Sequence, residues 1–180
     1  MISMKFRKWM LLILLPIFLL TGCINVEESD VTIAIKPGVD TVEINTAFVD
    51  EGAIAKANNW AVAYEVVENT VDITTVGVYQ VIYEVTYKRI TKQALRMVTV
   101  VDETPPVVTL NSGIDTIIKD SDWVDAGVSV TDNSLGAVTI DTEGVVSAEY
   151  IGEYLIKYIV TDASGNLTEI IRYVNVLKTP

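Results

Sequence analysis

GEYLIKYIVTDASGN, residues 152–166, decides how this chain is read. Tyr154, Ile156, Tyr158 and Val160 alternate with Leu155, Lys157, Ile159 and Thr161, and a period of two is what a β-strand with one buried face requires. The run ends at DASGN, residues 162–166, where Asp, Ser, Gly and Asn favour a turn by bonding their own backbone or by accepting left-handed dihedrals. From Leu167 to Leu177 an apolar, β-branched pattern resumes, so the two runs predict a hairpin. The alternation recurs earlier in VGVYQVIYEVT, residues 76–86, where Tyr79, Val81, Tyr83 and Val85 share one face.

That recurrence belongs to a longer repeat. With a shift of 75 residues, PGVDTVEINTAFVDEGAIA (37–55) falls on SGIDTIIKDSDWVDAGVSV (112–130) without a gap. Gly38 matches Gly113, Asp40-Thr41 matches Asp115-Thr116, Phe48 matches Trp123, and Val49-Asp50 with Gly52 matches Val124-Asp125 with Gly127. The reading is two tandem units, 31–103 and 104–180, joined at VVDETPP, whose adjacent prolines favour an extended connection. Val, Ile and Thr dominate, and no long segment has a 3.6-residue period. Each unit is therefore expected to be an all-β domain of about seven short strands, a small β-sandwich.

The N-terminus reads differently. Lys5, Arg7 and Lys8 precede an apolar run from Trp9 to Leu20, the pattern of a signal peptide, and the run is shorter than the roughly 20 residues that a membrane-spanning helix needs. Leu20, Thr21, Gly22 and Cys23 then resemble the bacterial lipobox. That resemblance implies cleavage of residues 1–22, a diacylglycerol on the Cys23 thiol, and a lipid-anchored protein on the extracytoplasmic face of the cell membrane. Two acyl chains suffice for stable anchoring where one is marginal. Residues 23–30, with Glu27, Glu28 and Asp30, read as the lipidated end and a short solvated tether. Cleavage removes three basic and no acidic residues and moves the formal charge from −11 to −14, which argues against nucleic acid as a partner.

The order DETPPVVTL, WVDAGVSVTDN, GEYLIKYIVTDASGN and a final β-strand resembles the bacterial Ig-like domain family first described as repeats in a pesticidal crystal protein, over residues 102–177. The first unit is a divergent copy, with Ala57-Asn58 in place of Asp132-Asn133 and YKRITK in place of DASGN. The resemblance implies an extracellular, non-catalytic, Ig-like all-β sandwich, often in tandem, with no single ligand. Catalysis is not expected from the residues either. The chain has no histidine to serve as general base and no S-x-x-K constellation in the mature sequence.

The expected function is a non-catalytic binding or adhesion module at the bacterial cell surface; the alternative is a passive spacer or a scaffold subunit of an envelope complex. An envelope protein or glycan is the expected partner besides the membrane. Lys88, Arg89 and Lys92 crowd one predicted turn and are candidates for contact with an acidic envelope component. Trp60 has no aromatic counterpart, since Leu135 occupies the matching position, and is a candidate for a private surface contact, whereas Tyr79, Tyr83, Tyr154, Tyr158, Phe48 and Trp123 recur at matched sites and are expected in the core. No cofactor is expected apart from calcium. Asp102 at the joint, with Asp125, Asp132, Asn133 and Asp162, are hard oxygen donors of the kind calcium takes, and the competing reading is that they close their own turns.

Replacing Cys23 by Ala is expected to release the protein from the membrane fraction or leave an uncleaved precursor. Fractionation with membranes in mature form, as for the parent, would contradict the lipoprotein reading.

Overall fold

The computed structural model describes residues 26–179, so the signal peptide, the lipobox and Cys23 lie outside the described residues. A single turn of 3-10 helix (Glu28–Asp30) leads into thirteen strands. In the first half β1 (Val31–Ile35) pairs antiparallel with β3 (Ala53–Ala57), which carries the short β4 (Trp60–Ala61). The second sheet has the order β2-β7-β6-β5, from β2 (Thr41–Glu43), β5 (Glu65–Asn69), β6 (Gly77–Tyr87) and β7 (Ile90–Val101). β2 runs parallel to β7, and β6 and β7 form the long antiparallel hairpin.

The second half repeats the plan. β8 (Val107–Leu110) pairs with β10 (Val128–Thr131), and β11 (Thr139–Glu143), β12 (Gly152–Thr161), β13 (Leu167–Leu177) and β9 (Thr116–Ile118) form a sheet in the order β11-β12-β13-β9. β9 lies parallel to β13 as β2 does to β7. β4 has no counterpart, since Leu135 and Gly136 lie in a loop at the matching positions. Among the described strands, no ladder joins one half to the other.

The period-two pattern sets the core. Val81, Tyr83 and Val85 on β6, Val98 and Val100 on β7, Ile156, Tyr158 and Val160 on β12, and Val174 and Val176 on β13 are all buried. Tyr79 and Tyr154 are partly buried, and each donates its hydroxyl to a carbonyl four residues upstream, Thr75 at 2.7 Å and Tyr150 at 2.9 Å. This is the corner by which a tyrosine pins the entry to a long sandwich strand. Phe48 and Trp123 are also partly buried, with the Trp123 indole N–H donating to the Ile114 carbonyl at 2.9 Å.

Each core also encloses an arginine. Arg96 and Arg172 are fully buried, a placement that is tolerated only when the guanidinium is paired and hydrogen-bonded. Arg172 donates to Asp115 Oδ1 at 2.7 Å and to the carbonyls of Asn111 at 2.7 Å and Gly127 at 3.0 Å, and its Nε–H points to the Tyr158 hydroxyl at 3.4 Å. Arg96 does the same with Asp40, the carbonyls of Lys36 and Gly52, and Tyr83. Both tyrosines donate in turn, Tyr83 to Asp50 and Tyr158 to Asp125.

The repeated Val-Asp-x-Gly is thereby explained. Asp50 and Asp125 each accept the amide N–H of the glycine two residues on, at 2.9 Å in both halves. Gly52 (φ 74°) and Gly127 (φ 69°) take the left-handed conformation that turns their carbonyls toward the arginine. At Gly52 a Cβ would also collide with the Tyr64 hydroxyl.

Burial, together with the bond to Asp50, pushes the Tyr83 hydroxyl up to about 12. In the unfolded chain a tyrosine ionises near 10, so this protonated group contributes fully below that pH, and its contribution is lost as pH rises through about 12. Burial and the bond to Asp125 raise the Tyr158 hydroxyl in the same way, so alkaline titration is expected to show late tyrosinate absorbance from both tyrosines, coincident with unfolding. Arg172→Ala should destabilise the second half by about 3 kcal/mol in chemical denaturation, at the low end for a broken buried pair because Asp115 and Asp125 are partly solvated. A loss below about 1 kcal/mol would contradict a structural role for the cage.

Candidate functional site at the seam of the two halves

Three strands of the fold end in aspartate at one place. Asp102 follows β7, Asp132 follows β10 and Asp162 follows β12, and a carboxylate oxygen from each lies within 4.8 Å of those of the other two. Asp102 and Asp162 are buried, and Asp132 is partly so. Each closes a turn with the amide two residues on: Thr104 on Asp102 at 3.4 Å, Ser134 on Asp132 at 2.8 Å and Ser164 on Asp162 at 2.9 Å. The turn-forming reading of these aspartates and their convergence on one point therefore hold together.

The surrounding donors are all neutral. Asn166 gives its side-chain N–H groups to the Asp162 carboxylate at 2.8 Å and the Asp102 carbonyl at 3.0 Å, and the Ser164 hydroxyl reaches Asp102 at 3.0 Å. Burial works to raise the Asp162 carboxyl, but the Asn166 side chain and the amides of Asn166, Ser164 and Gly165 outweigh it and hold the group below the usual carboxylate value. The ion pairs of Lys92, Arg96, Lys157 and Arg172 lie elsewhere. Two buried oxygens here, Asp132 Oδ2 and Asn133 Oδ1, have no hydrogen-bond partner.

Of the five oxygen-donor residues picked out from the sequence, Asp102, Asp132 and Asp162 come together, with Asn133 next in chain. Asp125 does not join them. It accepts from Tyr158 and the Gly127 amide beside Arg172, and so belongs to the arginine cage.

The seam is tied by Glu43, which pattern reading did not single out. Its carboxylate accepts from the Thr104 hydroxyl at 2.7 Å, the Glu103 amide at 3.1 Å and the Asn133 side-chain amide at 2.9 Å. Asn45 adds a bond to the Asn133 carbonyl at 2.6 Å. Beside these bonds a cleft of about 640 Å³ runs between Ile44 and Val76 of the first half and Leu135 and Ala163 of the second, with Asp102 and Ser164 on its wall. Leu135 is 99% exposed at its edge.

The remaining candidates sit at the opposite end of the first half. Lys88 (φ 57°) and Arg89 form the two-residue turn between β6 and β7, with the Lys88 ammonium 5.8 Å from the centre of the Tyr87 ring. Lys92 does not share the turn; it stands on β7, opposite Val85, and pairs with Glu28. Trp60 is 79% exposed just after the Asn58-Asn59 turn. Residues 26–30 are docked on the first half: Val26 packs against the cluster of Val31, Ala55, Ala57 and Val85, and the Asn58 amide bonds the Asp30 carbonyl at 2.9 Å.

Residues 109–176 match the family described as bacterial surface protein, Ig-like domain. The match, on an all-β sandwich, supports a surface-associated Ig-like protein. Among solved structures the chain is similar to the lipoprotein BT2262 from Bacteroides thetaiotaomicron, with 16% identity, 78% of this chain and 98% of that one covered, and a TM-score of 0.36. It is also similar to the Protocadherin GammaB4 extracellular domain, with 13% identity, 82% of this chain and 26% of that one covered, and a TM-score of 0.35. No curated protein matches.

The bonds from Thr104, Glu103 and Asn133 outweigh desolvation and lower the Glu43 carboxyl from its ordinary 4.5. A depressed carboxylate contributes above its unfolded value, and that contribution is lost as pH falls through the lower folded one. The Glu103 amide resonance is therefore expected to shift with a midpoint below 4.5 in the parent and to lose that step in Glu43→Gln. A midpoint at or above 4.5 would contradict the tie.

Proposed function

We propose that this is a lipid-anchored, non-catalytic binding module of the bacterial cell surface, built from two tandem Ig-like sandwiches, 31–103 and 104–180, and held by a diacylglycerol on Cys23. The observation that carries the binding role is the cleft at the seam. Its volume of about 640 Å³ falls in the range of ligand sites, and it is edged by the apolar side chains of Val76 and Leu135, which are left in solvent. A peptide or glycan of an envelope component fits such a mixed apolar and acidic cleft.

The other end of the first sandwich supports the anchored arrangement. Val26 is docked three residues after Cys23, so the Lys88-Arg89 turn and Trp60 lie at the end from which the chain leaves for the lipid. A basic turn beside an exposed tryptophan suits anionic headgroups or another acidic envelope component, with the seam directed outward. The spacer reading keeps one observation in its favour: the Glu43 and Asn45 bonds stiffen the joint, as a rigid stalk requires.

Capture experiments on the parent cell envelope separate these roles. Leu135→Glu is expected to abolish capture of a partner that the parent chain retains, while leaving the fold and membrane fractionation unchanged. Charge reversal at Lys88 and Arg89 is expected to weaken contact with anionic vesicles and leave capture at the seam in place. Capture that survives Leu135→Glu, or none by the parent chain, would favour the spacer.

A further inference from the structure

We propose that Asp102, Asp132 and Asp162 bind one calcium ion at the joint between the two halves. Three features carry this.

The first is the donor set. Three carboxylates meet with their oxygens no more than 4.8 Å apart, a separation that points on a sphere of about 2.4 Å radius can span, and calcium–oxygen distances are about 2.3–2.6 Å. Only oxygen donors are offered, which suits a hard cation. An open set that water can complete suits calcium's six to eight flexible ligands better than the tight octahedron of magnesium.

The second is the unsatisfied oxygens. Asp132 accepts at Oδ1 from the amide and hydroxyl of Ser134, while its Oδ2 is buried and has no partner, as is Asn133 Oδ1 in the next residue. An anionic oxygen withdrawn from water with nothing to accept from is destabilising, and a cation removes that cost.

The third is the other half of the chain, which shows how this fold closes the same place when no ion is held. The positions matching Asp132 and Asp162 are Ala57 and Tyr87, and they pack with Val26 and Val62 in an apolar cluster. A sandwich that needed only stability could use that apolar plug. The second half carries carboxylates there instead, next to a third at the end of β7, where the first half passes into the second. Replacing an apolar plug by clustered like charges destabilises a domain unless a counter-ion compensates. Calcium bound here ties the end of β7 to the loops after β10 and β12, and so holds the seam independently of what enters the cleft.

The test is calorimetry on the full chain in detergent, stripped with EDTA and titrated with calcium chloride alone. Calcium is expected to bind with one-to-one stoichiometry and, at about a hundredfold excess over Kd, to raise the melting temperature by about 5 °C or more. Asp132→Asn keeps the bonds from Ser134 and should weaken binding at least tenfold; Asp132→Ala, which copies Ala57, should do the same while folding in EDTA. No binding heat together with equal melting temperatures in EDTA and calcium would overturn the site, and so would parental affinity in Asp132→Asn. Equal binding of magnesium would overturn the calcium assignment. Should both variants fail to fold, the parent chain in EDTA and in calcium decides alone.

Discussion

A guanidinium buried at the centre of a small sandwich constrains everything around it. Arg96 and Arg172 each take a carboxylate, two carbonyls from different turns and a tyrosine hydroxyl. The segment before β2 or β9, the Val-Asp-x-Gly loop and the long hairpin must therefore meet at one point in each half. Neither sandwich has a disulfide among its described residues, so the tie between sheets that a cystine supplies elsewhere is here a hydrogen-bonded cation. Because the anchoring lies inside each half, the loops after β7, β10 and β12 are left to meet one another at the seam.

Much of this was legible in the sequence. The hairpin at residues 152–177 and the alternation at Tyr79–Val85 follow from period and turn chemistry, and the structure builds each of them as strand or turn. The arginines were not legible for a definite reason. Between the paired residues Thr86 and Thr91 the first hairpin has four residues, 87–90, whereas between the matching pair Thr161 and Leu167 the second has five, 162–166. That one extra residue moves Arg172 to a shift of 76 from Arg96, so a gapless overlay at 75 leaves the two unaligned. A charged residue in an alternating strand also reads as an outward one unless its partners, all distant in sequence, are known.

The seam divides in the same way. Turn-forming aspartates were visible, and three of them belong together because the repeat places the ends of β10 and β12 side by side with the exit of β7. Asp125 looked equivalent in composition, but its neighbour two residues on is the left-handed Gly127, which turns it inward to the cage. Glu43 gave no signal, because its partners Thr104 and Asn133 are distant in sequence and belong to no motif. Lys92 looked like part of a basic turn because charge density does not show where a tight hairpin turn stops and its strand begins.

The claim on which the account rests is that each half folds around one enclosed arginine, and side-chain NMR reads it directly. Of Arg7, Arg89, Arg96 and Arg172, the structure predicts that Arg96 and Arg172 show Nε–H signals protected from solvent exchange, one from each half and each lost on unfolding. Exchange of either Nε–H at the rate of an exposed arginine would contradict it.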